Sequence, residues 1–192
     1  MKKIIFLITM LSGLFISADA QSKTDFRAFT WGESLEQVQS EETAKFIIKD
    51  KDDMLEYKDE LGGYDCDVIY TFNESDKLIS GDYVFTKKYT NPQLYLQDYN
   101  SFKTLLTEKY GKAVSEKENW SKNSTPSDKS NFGQAIADGN LILNTQWVTN
   151  RSVVQISLNS GNKVPFLHIH YTTKSLDELQ DKVALEKALP KL

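Results

Sequence analysis

Short turns between alternating segments constrain the fold of this chain more than any other feature of its sequence. The segment 64–72 alternates, with Cys66, Val68 and Tyr70 on one side of a predicted strand. The turn sequences KDD, GG and NESD separate this strand and its neighbours. Such short turns join antiparallel strands, because parallel neighbours need crossovers of about a dozen residues or more. The first four predicted strands are 43–49, 54–60, 64–72 and 78–86.

A second series of strands follows a long predicted helix, 92–110. Along this helix, aromatic and leucine side chains recur at the spacing of a buried stripe, namely Tyr95, Tyr99, Phe102, Leu105, Leu106 and Tyr110. The strands predicted after it are 113–120, 140–149, 152–158 and 164–173. We therefore predict an α+β fold with antiparallel meanders and with helices packed on one face of the sheet or sheets. It has two helix-then-strands halves, about 29–88 and 92–174.

Capping residues mark the ends of three predicted helices. Ser34 precedes the first helix, which ends near residue 42, and Gln37 completes a capping box. Gly111 follows the long helix, at a position where helices commonly end with a positive φ angle. Ser175 and Glu178 form a second capping box, which predicts a C-terminal helix over about 176–188.

The first 20 residues have the pattern of a secretory signal peptide. Two lysines precede an apolar stretch, and Ala18-Asp19-Ala20 is an A-x-A cleavage site before Gln21. The alternative is a membrane anchor, but the apolar stretch is shorter than the ~20 residues that span a bilayer. No cysteine stands at the cleavage site for lipidation. We expect a single soluble domain, 21–192, that is periplasmic or secreted, not lipidated, and without a transmembrane segment after cleavage.

Composition limits the classes of partner and of chemistry. The formal net charge is −4, from 23 basic and 27 acidic residues, which argues against nucleic acid or an anionic membrane as the partner. Cys66 is the only cysteine, so no intrachain disulfide can form. Its neighbours Asp65 and Asp67 disfavour a thiolate, and its alternation with Val68 predicts a buried, unreactive side chain.

Both histidines of the chain, His168 and His170, lie in the segment FLHIHYTT. Alternation along a strand puts the two imidazoles on one face. A turn at 160–163 places His168 in one cross-strand row with Gln155 and Gln146, because this register also brings apolar residues together on the opposite face. We therefore predict that both histidines lie on the outer face of the sheet.

Two histidines at this spacing suit zinc, which needs three or four ligands from His, Cys, Asp or Glu. The predicted neighbours on the outer face are Gln, Asn, Ser and Val, which are poor zinc ligands. A carboxylate from the first half, Asp65 or Asp67, would complete a site only if the outer faces of the two halves met. We predict no metal ion and no cofactor, and interpret the pair as polar strand residues that face solvent.

No catalytic motif stands out in the sequence. The G-x-S-x-G elbow, the Walker phosphate loop, the G-x-G-x-x-G turn after a strand and the H-E-x-x-H helix are absent. We therefore predict no catalytic residues and no enzyme activity. A polar stretch, 121–134, predicts a surface excursion with a short helical piece near Ile136. The candidate binding face comprises Gln146, Gln155, His168, His170 and Trp120, the last because an aromatic residue beside a loop often anchors a partner.

Several motifs resemble those of a family of uncharacterised exported bacterial proteins. The segment 26–38, FRAFTWGESLEQV, contains F-x-W-G-x-S-x-E-x-V; YLQDYNSFKTLLTEKYGK ends a long helix in K-Y-G; WVTNRSVVQISL contains W-x-T-x-R; and IHYTTKSL leads into the final helix. Two positions depart from the family pattern, since Ala113 replaces a common proline and His170 replaces another polar residue. The resemblance implies export and an α+β build, and it implies no activity.

Three functions remain open from the sequence. The first is a non-enzymatic periplasmic or secreted binding module that contacts a protein or cell-envelope component through the outer sheet face or the 121–134 excursion. The second is a metal-dependent hydrolase centred on His168 and His170. The third is a structural envelope protein without a specific ligand.

Overall fold

A computed structural model of the chain describes residues 24–50, 53–122, 124 and 129–175. The helices are α1 (Leu35–Glu41), α2 (Gln93–Tyr110) and α3 (Phe132–Ala137), the last preceded by a 3-10 turn at Lys129–Asn131. The strands are β1 (Lys45–Asp50), β2 (Met54–Leu61), β3 (Tyr64–Phe72), β4 (Leu78–Phe85), β5 (Ser115–Trp120), β6 (Leu141–Val148), β7 (Ser152–Gly161) and β8 (Val164–Thr173). These elements confirm the α+β fold and its antiparallel strands.

All eight strands form one antiparallel sheet in the order β1-β2-β3-β4-β8-β7-β6-β5. Each run of four consecutive strands is a meander. Short turns join the neighbouring strands as predicted, except between β5 and β6, where the segment 121–140 with α3 intervenes. The two meanders lie side by side and are joined through their last strands, β4 and β8. We call this β4–β8 pair the seam, because it is where the strands of the two halves meet.

Ser34 and Gly111 cap α1 and α2 as predicted, whereas one residue of the predicted stripe on α2 lies on its exposed side. Ser34 Oγ accepts a hydrogen bond from the backbone N–H of Gln37 at 3.2 Å, and Gly111 ends α2 with φ +78°. Leu105, predicted as buried, is 54% exposed. It lies about 100° around the helix from the next residue, Leu106, which is buried. Leu105 therefore faces solvent at the edge of the stripe.

Side chains of α2 pack on one side of the sheet, which we call the core face. The hydroxyl groups of Tyr99 and Thr145 lie 2.8 Å apart, and the rings of Phe102 and Phe85 have centroids 4.4 Å apart. The indole of Trp147, 1% exposed, donates a hydrogen bond of 3.1 Å to the carbonyl of the residue that caps α2. Burial of such large side chains removes much apolar surface from water and stabilises the fold.

The N-terminal segment, residues 25–31, crosses the core face of the seam. Phe26 is 1% exposed, and its ring centroid lies 5.3, 5.1 and 5.2 Å from those of Tyr70, Tyr83 and Tyr171. Gly81 pairs with Tyr171 across the seam and leaves room for the Phe26 ring. A Cβ atom at Gly81 would lie only 2.1 Å from that ring.

Ion pairs attach the N-terminal segment to both halves of the sheet. Asp25 accepts two hydrogen bonds of 2.7 Å from the guanidinium of Arg151, which precedes β7. Arg27 lies 3.0 Å from Glu42 and 2.6 Å from Asp59, both in the first half. The segment thus connects the two meanders on the side of the sheet opposite the histidines.

The last hairpin differs from the predicted one by two residues. Asn162 and Lys163 alone join β7 to β8, and both have positive φ angles, 51° and 63°, as a two-residue type I′ turn requires. The predicted four-residue turn was therefore wrong, and Gln155 pairs with His170 rather than with His168. Because the shift is an even number of residues, every side chain stays on its predicted face.

Cys66 lies on the core face and is 2% exposed, which confirms the prediction from alternation. Burial raises the pKa of its thiol to about 11, and the charge of Asp59 adds to the increase.

We expect the native thiol of Cys66 to resist a disulfide reagent at neutral pH and to react only as the chain unfolds, since the thiolate is the reactive form. Labelling rates measured across a urea series test this. A native-state rate equal to that in urea would contradict it.

Some predicted features lie outside the described residues. These are the signal peptide at 1–20, the C-terminal helix at about 176–188, and positions 123 and 125–128 of the polar excursion. The described end of the excursion continues into α3, where Ile136 is buried. Within the described ranges, no helix is long and apolar enough to cross a membrane.

Candidate functional site

The candidate site lies on the seam, on the face of the sheet opposite the core face, which we call the open face. Across the seam, Asp82 pairs with His170, and Val84 pairs with His168. Strand alternation directs these four side chains to the open face, because their immediate neighbours along each strand are buried on the core face. The join between the halves thus brings one carboxylate from the first half to two histidines from the second.

One carboxylate oxygen contacts both imidazoles. Asp82 Oδ1 lies 3.0 Å from His168 Nε2 and 2.8 Å from His170 Nδ1. A carboxylate oxygen has two lone pairs and accepts both N–H groups. The exposed fractions of the side chains are 16% for Asp82, 29% for His168 and 36% for His170. We call these three residues the triad.

The environment keeps the Asp82 carboxylate charged. Burial is the largest influence and raises the pKa of Asp82, but the hydrogen bonds with His168 and His170 and the charges of these imidazoles outweigh it. The net effect lowers the pKa below its ordinary value. The triad therefore contains an ionised carboxylate at neutral pH, with two nitrogen groups directed at one of its oxygens.

Amide side chains extend the polar surface from the triad across the second half. Gln146, Gln155 and His170 lie in one cross-strand row over β6, β7 and β8. Gln155 Nε2 donates a hydrogen bond of 2.9 Å to Asn144 Oδ1. His168 lies beside this row and pairs with Ser157. The open face therefore contains four of the residues predicted as a binding face, namely Gln146, Gln155, His168 and His170.

Trp120, the fifth predicted residue, lies elsewhere. It ends β5 and pairs with Leu141, which is fully buried on the core face. Its ring contacts that of Phe132 edge-on, with centroids 5.5 Å apart. The structure therefore places Trp120 against α3 at the edge of the core and does not bring it to the histidines.

The sequence interpretation missed Asp82 as the partner of the histidines. It considered Asp65 and Asp67, but Asp67 lies 3.4 Å from Lys58 and is separated from His168 by a strand. Asp82 stands at an alternating position of a predicted strand, which is a weak signal by itself. The signal becomes specific only if the last strands of the two halves are known to pair.

Two clefts of the described chain lie away from the triad. One, of about 870 Å³, lies between the end of α2 and the turn joining β6 to β7. The other, of about 660 Å³, lies between α2 and strands β5 and β6. No triad residue lines either cleft. The triad therefore lies on an open surface and not in one of these concave pockets.

No family model, no curated protein and no solved structure matches this chain. The resemblance to exported bacterial proteins stays a prediction.

Proposed function

We propose that this protein is an exported, non-enzymatic binding module that contacts a protein or cell-envelope component through the open face of its sheet. The observation that carries the proposal is the grouping of ionic and amide side chains on that face, around the triad and along the row of Gln146 and Gln155. These groups are held by neighbouring strands, so their positions are set before a partner arrives. Preorganised groups lose less conformational freedom on binding.

We infer that the helices pack only on the core face of the sheet. This inference is supported by the buried residues of α1, α2 and α3, which form one hydrophobic cluster with residues of the core face. The apolar residues of the open face, such as Ile69, Val84 and Val153, do not belong to that cluster and are half-buried. Among the described residues, the open face is thus the side of the sheet left for a partner.

The dimensions of the open face suit a macromolecular partner better than a small substrate. Eight strands at about 4.8 Å spacing make a sheet roughly 34 Å wide. Strands of eight residues are about 27 Å long, so the face covers roughly 900 Å². A stable protein interface buries about 800 Å² on each partner, whereas small substrates bind in concave pockets that enclose them. This comparison favours the binding module over the metal-dependent hydrolase.

Site-specific photocrosslinking in the producing cell tests the proposal. We expect a photoreactive amino acid at Gln146 or Gln155 to form an adduct with the same partner, because both positions lie in one row of the open face. Leu105 is the matched control, since it is exposed on α2 and away from this face. The adduct from Gln155 should also be lost when Gln146→Lys is introduced.

Two results would count against the proposal. One is the absence of adducts from both glutamine positions in a folded, exported chain. The other is an equal adduct from Leu105, since that would indicate collision rather than recognition by the open face.

A further inference from the structure

Three atoms of the triad are arranged as ligands of a metal ion. Asp82 Oδ1, His168 Nε2 and His170 Nδ1 all lie within 4.8 Å of one another. The carboxylate is held on the middle of β4, and both imidazoles are held on β8. Side chains on paired strands are held in place more accurately than side chains on loops, and a metal site requires accurately placed ligands.

The two oxygen–nitrogen separations of the triad are close to those of a coordination shell. Zinc binds His nitrogen and carboxylate oxygen at about 2.0–2.2 Å, so ligand atoms around a tetrahedral ion lie about 3.3 Å apart. The observed separations from Asp82 Oδ1 are 3.0 and 2.8 Å. The two nitrogen atoms lie within 4.8 Å of each other. Binding an ion would therefore lengthen each oxygen–nitrogen separation by a few tenths of an ångström and hold the two nitrogens about 3.3 Å apart, and the partly exposed imidazoles have room to adjust.

The donor set selects the class of ion. Two imidazoles and one carboxylate favour zinc and other divalent first-row transition metals, whereas calcium and magnesium prefer oxygen ligands. The exposed fractions of the triad leave a path for an ion from solvent. Three protein ligands also leave at least one coordination position for water or for a group of a partner.

We propose that Asp82, His168 and His170 bind a divalent first-row transition-metal ion on the open face of the sheet. On binding, the proton on His168 Nε2 and that on His170 Nδ1 move to the other nitrogen of each ring or leave to solvent, because an imidazole binds metal through a nitrogen lone pair. Three coordinate bonds then replace the two hydrogen bonds of the triad, and the ion connects the halves at the seam. This inference does not depend on the proposed partner. The triad can bind metal in a chain that has no macromolecular ligand, and the open face can bind a partner without metal.

Zinc binding by the mature chain, purified without a polyhistidine tag, tests the inference. We expect one zinc ion per chain by calorimetry, and a rise of several degrees in melting temperature at zinc concentrations about 100 times Kd. Asp82→Asn and His170→Ala should each weaken binding by at least about tenfold, because each removes a direct ligand. Asp67→Asn is the matched control, since Asp67 lies on the open face outside the triad, and it should bind zinc as the parent chain does.

Nuclear magnetic resonance of the imidazoles provides a second measurement that needs no variant. The chain contains only two histidines, so both ring signals can be followed, and we expect both to shift together as zinc is added. Absence of zinc binding at millimolar concentration would overturn the inference. So would equal affinity in a folded Asp82→Asn chain, or imidazole signals that do not move on zinc addition.

Discussion

Glu42→Gln should lower the free energy of unfolding by about 2–3 kcal/mol at neutral pH. The Glu42 side chain is 3% exposed. Its carboxylate accepts hydrogen bonds from Arg27, from the backbone N–H of Ala44 and from the hydroxyl of Tyr70. Glutamine replaces one accepting oxygen with an NH₂ donor, which then faces another donor. The loss is smaller than for a fully buried pair because Arg27 keeps Asp59.

Urea unfolding of the two chains measures this effect, with Glu41→Gln as the matched control. Glu41 is the exposed neighbour in sequence, and its substitution should change stability by less than about 0.5 kcal/mol. A midpoint for Glu42→Gln equal to that of Glu41→Gln would show that the ion pair contributes nothing measurable.

The effect of Glu42→Gln should depend on pH in a defined direction. Burial, the largest influence, raises the pKa of Glu42, but hydrogen bonds from Tyr70, Ala44 and Arg27 outweigh it and lower the pKa below its ordinary value of 4.5. A lowered folded-state pKa stabilises the protein above the unfolded-state pKa, and this contribution is lost as the pH falls through the folded-state pKa. The stability difference between the parent chain and Glu42→Gln should therefore shrink as the pH falls below about 4.5. A constant difference down to acid pH would contradict this assignment.

Gly81→Ala should destabilise the protein by about 2 kcal/mol. The added methyl group would lie 2.1 Å from the Phe26 ring, and that ring is enclosed by tyrosines on the core face. Either Phe26 or the backbone of β4 must move. Gly161→Ala is the matched control, because its added carbon would lie 3.6 Å from the nearest ring atom, an ordinary contact.

A double-mutant cycle with Phe26→Leu identifies the cause of the Gly81→Ala effect. Leucine lacks the ring that the methyl group meets, so the double variant should be more stable than the sum of the single effects predicts, by at least about 1 kcal/mol. Urea unfolding of the four chains provides the measurement. Strict additivity would indicate that the steric conflict lies elsewhere.

Glu42→Gln and Gly81→Ala both affect the N-terminal segment, residues 25–31, through Arg27 and Phe26. This segment packs on the core face, directly opposite the triad. Gly81, next to Asp82, faces Phe26 on the core face, while Asp82 faces the histidines on the open face. The same segment is connected to the first half through Arg27 and to the second half through Asp25. Movement of this segment should therefore alter the seam and with it the spacing of the triad.

Local features of the fold were predictable because their causes are local. Alternation in 64–72 assigned Cys66 and Tyr70 to the core face, and short turns predicted antiparallel meanders. The hydroxyl of Ser34 capped α1 as its position indicated. The last hairpin register was missed because it depended on backbone angles at Asn162 and Lys163 that sequence alone did not specify.

The sequence by itself determined the faces of the strands, including the outward direction of His168 and His170, because side chains alternate with a period of two whatever their neighbours are. Only the tertiary structure decided that Asp82 meets them. Residues 82 and 170 are far apart in the chain, and their contact depends on the pairing of β4 with β8. No turn connects those two strands, so no local signal specified that they pair. The same long-range pairing brings the charged carboxylate of Asp82 to His168 and His170, which form the triad with it on an open surface.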